Sequence, residues 1–123
     1  MIDLSKSRVL IVDDTKANVD ALIHVLQQDY KLSVALSGEA ALRAADKSPP
    51  DMILLDVMMP GIDGFEVCQR LREKPAFRDI PVMFLTGLND VANKARGFEV
   101  GGNDYLTKPF EALEVRARVK AHL

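Results

Sequence analysis

Met52-Ile53-Leu54-Leu55-Asp56 is an unbroken apolar run that ends on a carboxylate. A strand covered by helices on both faces needs apolar residues at successive positions rather than at alternate ones, and this short run has that character. Val9-Leu10-Ile11-Val12 repeats the pattern and ends on Asp13-Asp14. Around these two lie further strand-like runs at Leu32–Leu36 and Pro81–Leu85, and a weaker one at Asp104–Thr107, while the first run extends back to Arg8.

The stretches between them have helical periodicity. Val19, Leu22, Ile23 and Leu26 share one face of a first helix, with Lys16, Asp20, His24 and Gln27 on the other. Ser37 is the expected N-cap of a second helix, with Glu39 near the positive end of the dipole; Ala41, Leu42 and Ala45 point inward and Pro49-Pro50 stop it. Asp63 and Glu66 have capping-box spacing and open a third helix that buries Val67, Cys68 and Leu71 and ends near Pro75. A fourth is expected over about Asp90–Val100 with Val91, Ala95 and Phe98 inward, closed by Gly101-Gly102. A fifth runs from near Glu111 to the last residue.

Strand and helix thus alternate five times, and helical crossovers make neighbouring strands parallel. The expected fold is a doubly wound α/β domain, one domain over residues 1–123, a length that buries an ordinary core without disulfides or a structural metal. Sixteen basic and eighteen acidic residues leave a net charge of −2 with no basic stripe, which argues against direct nucleic-acid binding. Cys68 has no partner cysteine and is expected to be a buried thiol in a reducing compartment. With neither a membrane-length apolar run nor a signal-peptide core, the expected location is the cytoplasm.

Ligands of doubly wound sheets lie beyond the carboxyl ends of the strands. Those positions hold Asp13-Asp14, Asp56, Thr86-Gly87 and Lys108-Pro109. Carboxylates brought together repel one another unless a cation neutralises them, and oxygen donors without His or Cys suit Mg2+. A carboxylate is also a nucleophile towards phosphorus, and the transferred group then needs positive charge and donors such as Lys108 and Thr86. Taken singly each residue has a structural explanation: Asp13 or Asp14 as a helix cap, Asp56 as a turn residue, Thr86 as a strand former, Lys108 as a solvated cation. Their convergence on one sheet edge is what points to chemistry.

Val12-Asp13-Asp14, the stretch Leu55-Asp56-Val57-Met58-Met59-Pro60-Gly61-Ile62-Asp63-Gly64, Leu85-Thr86-Gly87, and Asp104-Tyr105-Leu106-Thr107-Lys108-Pro109-Phe110 together resemble the receiver domain of bacterial response regulators, over nearly the whole chain and in family order. The resemblance implies strand order 2-1-3-4-5, a phosphoacceptor at Asp56, and Mg2+, with Mn2+ as substitute, held by Asp13, Asp14, Asp56 and the Met58 carbonyl. It implies that Lys108 pairs with the phosphoryl oxygens before a cis Lys108-Pro109 bond, and that Thr86 and Tyr105 move as switch residues, with Gly87 leaving room and Phe110 in the core. The implied donor is a sensor histidine kinase or phosphotransfer protein. A homodimer through Lys94, Asp104, Glu114 and Arg118 is a further expectation, although Asn103 replaces the acidic residue often found before Asp-Tyr. Met58 and Leu88 are expected to flank the site and slow hydrolysis.

A degenerate receiver used only for docking is the alternative, yet all five site residues are present. A Mg2+-dependent phosphohydrolase would want a second carboxylate two residues after its Asp nucleophile, where Met58 stands. Asp13-Asp14-Thr15-Lys16 has the wrong charge for a phosphate-cradling loop. The uncapped end at Ala121-His122-Leu123 favours a piece of a longer regulator or hybrid kinase over a stand-alone receiver. The sequence names neither kinase, signal nor output.

Overall fold

The computed structural model describes residues 7–87 and 91–123, and the side chains of all of these except 91–93. In chain order the elements are β1 (Arg8–Val12), α1 (Lys16–Leu26), β2 (Lys31–Ala35), α2 (Gly38–Lys47), β3 (Met52–Asp56), α3 (Gly64–Arg72), β4 (Val82–Thr86), α4 (Val91–Glu99), β5 (Asp104–Thr107) and α5 (Ala112–His122), with a 3-10 turn at Pro75–Phe77 after α3. All pairings are parallel and the strand order is β2-β1-β3-β4-β5, as expected.

Alternate residues of the central strands serve two cores. Leu10, Val12, Ile53, Leu55, Val82 and Phe84 face α2 and α3 through Ala41, Ala45, Val67, Cys68 and Leu71. Val9, Ile11, Met52, Leu54, Met83 and Leu85 meet Val19, Leu22 and Leu26 of α1 and Val115 and Val119 of α5. Leu22 and Leu26 are wholly buried, a gain of about 2 kcal/mol each over exposure. This two-sided burial is why β3 and β4 read as unbroken apolar runs. On β2, at the sheet edge, Lys31, Ser33 and Val34 are exposed.

The caps follow the local chemistry. Ser37 accepts from Ala40 N at 3.1 Å, and Asp63 accepts from Glu66 N at 2.9 Å. Glu66 does not complete a reciprocal box; its carboxylate takes Arg70, one turn on, at 2.8 Å. Gly101, with φ 99°, ends α4 in a Schellman turn: Gly102 N donates to Gly97 O and Gly101 N to Phe98 O.

The inward face of α4 differs from expectation. Ala95 is exposed and Phe98 is 56% exposed, whereas Gly97 is buried. The helix comes so close to Phe84 and Tyr105 that only a residue without a side chain fits the contact, which turns the larger residues outward. Asp90 and the Val91 side chain, also expected there, lie outside what is described.

A pin made by one side chain was not foreseen. Arg72, at the end of α3, donates to Phe77 O and Ile80 O at 2.8 Å each, to Gly101 O from two nitrogens, and to Asn103 Oδ1 at 3.1 Å. It thereby joins the segments leading into β4 and β5. Asn103 Oδ1 also accepts from Val82 N at 2.8 Å.

Candidate functional site

Val12 pairs with Leu55, so Asp13 and Asp56 leave adjacent strands side by side, at the point where the winding reverses between β1 and β3. Asp13, Asp14 and Asp56 each offer a carboxylate oxygen, and these lie within 4.8 Å of one another. Asp13 and Asp56 are buried and Asp14 is exposed. Thr86, also buried, ends β4, and Lys108 N donates to Thr86 O at 2.8 Å, fixing the lysine's backbone beside it. The Lys108-Pro109 peptide is cis.

Lys108 Nζ lies 3.0 Å from Asp56 Oδ1 and 3.5 Å from Asp13 Oδ2. Asp13 is fixed further by Thr15 N, donating at 2.9 Å, and by Asn18 Nδ2 at 3.1 Å. Met58 N donates to Asp56 Oδ1 at 3.4 Å. Gly64 begins α3 against the Asp56 backbone: a Cβ there would stand 3.0 Å from Asp56 C and 3.1 Å from Val57 Cα. Burial pushes the Asp56 carboxyl above its usual range; the Asp13 charge adds to this, and the Lys108 ammonium offsets it only in part. With Asp13 and Asp56 buried and Lys108 their one ion-pair partner among the described residues, the three-carboxylate cluster is under-neutralised, so its donor set fits a hard divalent cation.

The cleft above the cluster has a volume of about 470 Å³ and is lined by Asp14, Asp56, Met58, Thr86, Gly87 and Lys108, among others. Met58 borders it, although the residue is 74% exposed. Leu88 lies outside the described residues. Asn18 escaped sequence reasoning, since it reads as one more polar residue on α1, and Gly64 stood within the receiver-like stretch without a role assigned to it.

Tyr105 is buried, its hydroxyl donating to Lys94 O. Its ring lies 5.6 Å from Phe84 and edge-on to Phe98 at 5.2 Å. Phe110 is partly buried against the α1 and α5 side of the core. The four charges expected at a dimer face include two joined within the chain, Arg118 to Asp104 at 2.8 Å; Arg118 also lies 3.9 Å from Glu114, and His122 Nε2 lies 3.0 Å from Asp104. Burial works against the Asp104 charge, but the Tyr105 N–H, His122 and Arg118 outweigh it and hold the carboxyl below its usual range.

Comparison with known proteins gives the class. Residues 9–120 match the family model of the response regulator receiver domain, and the chain belongs to that family. It is 45% identical over 116 residues to the response regulator PleD of Caulobacter vibrioides, covering 94% of this chain and 26% of PleD. It is 43% identical to the transcriptional regulatory protein YvrH of Bacillus subtilis, covering 98% of this chain and 50% of that protein. The chain therefore spans a quarter to a half of these relatives. A crystal structure of a response regulator from Chloroflexus aurantiacus superposes with a TM-score of 0.92 at 43% identity, covering 94% of this chain and 96% of that one.

Receiver domains are phosphorylation-driven switches of two-component systems that bind Mg2+ at an acidic pocket and interact with histidine kinases or phosphotransfer proteins. They are phosphoacceptor domains, mostly without enzymatic activity of their own. Among the described residues no helix is long and apolar enough to cross a membrane.

Proposed function

We propose that this chain acts throughout its length as a receiver that takes a phosphoryl group from a histidine kinase or phosphotransfer protein onto Asp56. The observation that carries this is the buried Asp56 carboxylate, bridged to Lys108 at 3.0 Å and clustered with Asp13 and Asp14. Both hydrogen bonds to Asp56 fall on Oδ1, so Oδ2 has no such bond among the described residues and keeps its lone pairs for attack. In the step, a P–O bond to Asp56 forms as the P–N bond of a phosphohistidine breaks, and the imidazole nitrogen leaves with the electron pair and takes a proton.

Asp13, Asp14, Asp56 and the Met58 carbonyl would hold Mg2+, or Mn2+ in its place, which supplies charge neutralisation for the incoming phosphoryl oxygens. Lys108 would follow the phosphoryl group, and Thr86 would donate its hydroxyl to it. Tyr105 would report that movement to α4, an equilibrium between two packings biased by the new bonds. A dimer on the face of Lys94, Asp104, Glu114 and Arg118 would have to exchange the internal Asp104–Arg118 pair for one between chains.

The test is intact mass after incubation with acetyl phosphate and Mg2+. A phosphoryl adduct is expected in the wild type and absent from Asp56→Asn and from EDTA-treated protein. No adduct under any condition would favour the docking role.

A further inference from the structure

Glycine is disfavoured inside a helix relative to alanine, because it loses more backbone freedom on folding. Gly97 nevertheless stands within α4, buried. A Cβ built there would lie far inside the contact distance of the Tyr105 hydroxyl, 2.8 Å from Tyr105 Cζ and 3.0 Å from Phe84 Cδ2. Of the two rings, Phe84 cannot move aside: it is wholly buried in the interior strand β4 and packed 5.3 Å from Phe65. Tyr105 can, because its strand β5 is at the sheet edge and a change of its χ1 rotamer carries the ring towards solvent.

We infer that Gly97 is the seat of Tyr105, the residue that decides whether the aromatic can occupy its inward position and hold α4. The inference rests on the switch role proposed above for Tyr105. Among the described residues the inward ring meets α4 in three ways: its hydroxyl donates to the Lys94 carbonyl, its hydroxyl end lies over Gly97, and it forms a T-shaped pair with the half-exposed ring of Phe98. A methyl group at position 97 expels the ring and removes all three. Phe98 then loses the partner that orients it on the surface, so a binding partner that reads α4 meets a different apolar patch whatever the state of Asp56. The atoms nearest a Cβ at Gly97 belong to Tyr105 and Phe84 and not to Asp13, Asp14, Asp56 or Lys108, so phosphorylation and its readout separate at this position.

The sequence supplies a clean reporter, because there are two tyrosines and no tryptophan. In a Tyr30→Phe background Tyr105 is the only tyrosine, and acrylamide quenching of its fluorescence measures its exposure. Gly97→Ala is expected to raise the quenching constant about threefold, with and without beryllofluoride and Mg2+, as the ring takes an outward rotamer. The same variant is expected to form the acetyl phosphate adduct. Quenching equal to that of the Gly97 parent, with and without beryllofluoride, would overturn the inference. As a folding control, Gly97→Ala in a Tyr105→Ala background is expected to leave Tm equal or higher, since alanine then gains its helix preference without the clash. A fall in Tm there would overturn the inference by assigning the conflict to Phe84. If the parent itself forms no adduct, the phosphoacceptor reading fails, while the quenching contrast still decides the seat.

Discussion

Lys108 Nζ donates to Asp56 Oδ1 across 3.0 Å while lying 3.5 Å from Asp13. One ammonium thus occupies ground that a divalent cation would share. Removing it leaves the carboxylates more negative, so Lys108→Ala is expected to bind Mg2+ about tenfold more tightly by calorimetry, equivalent to ~1.4 kcal/mol. The same variant should form the acyl phosphate more slowly, because the transferred oxygens lose a positive partner. Unchanged Mg2+ affinity would mean that the lysine and the metal do not compete.

Asp56 is destabilised as an anion, chiefly by burial. Its folded pKa is raised above the unfolded one, so the folded state holds the proton through the window above the usual carboxylate range. Its contribution to stability is therefore full at low pH and is lost as pH rises through the folded pKa. At neutral pH without Mg2+, Asp56→Asn should raise stability by about 1 kcal/mol, or roughly 3–5 °C in Tm. The gain should shrink in acid and with saturating Mg2+, both checked by thermal denaturation across pH.

Asp104 has the opposite sign. Its folded pKa is lowered, so its stabilisation is present above the unfolded carboxylate pKa and disappears as pH falls through the folded value. Asp104→Asn is expected to cost about 1 kcal/mol at neutral pH, and less in acid. A loss that stayed constant across this range by denaturant titration would remove charge from the explanation.

Arg72 satisfies carbonyls at Phe77, Ile80 and Gly101 with one guanidinium. Arg72→Met should cost about 3 kcal/mol, because it strands part-buried acceptors. Asn103→Asp should instead gain up to ~1 kcal/mol by adding charge to the existing contact with Arg72.

Much of this was legible because two-sided burial writes itself into continuous apolar runs: β1 and β5 have the bounds read from sequence, and β3 and β4 differ by a residue. Strand ends then located Asp13, Asp56, Thr86 and Lys108 without any side-chain geometry. The face of α4 was not legible, since period-3.6 reading rewards apolar residues such as Phe98 and gives no weight to Gly97, whose burial depends on the ring of Tyr105 across the gap. Arg72 was hidden for a related reason: all its partners but the Asn103 side chain are backbone carbonyls, which carry no residue signature.

The most direct test of the central claim is to trap the acyl phosphate. Protein treated with acetyl phosphate and Mg2+ is reduced with borohydride, which converts an aspartyl phosphate to homoserine, and the modified residue is located by peptide mass mapping. The account predicts homoserine at position 56 alone, dependent on Mg2+. Homoserine at Asp13 or Asp14, or an unmodified position 56 in protein that carries the phosphoryl group, would contradict it.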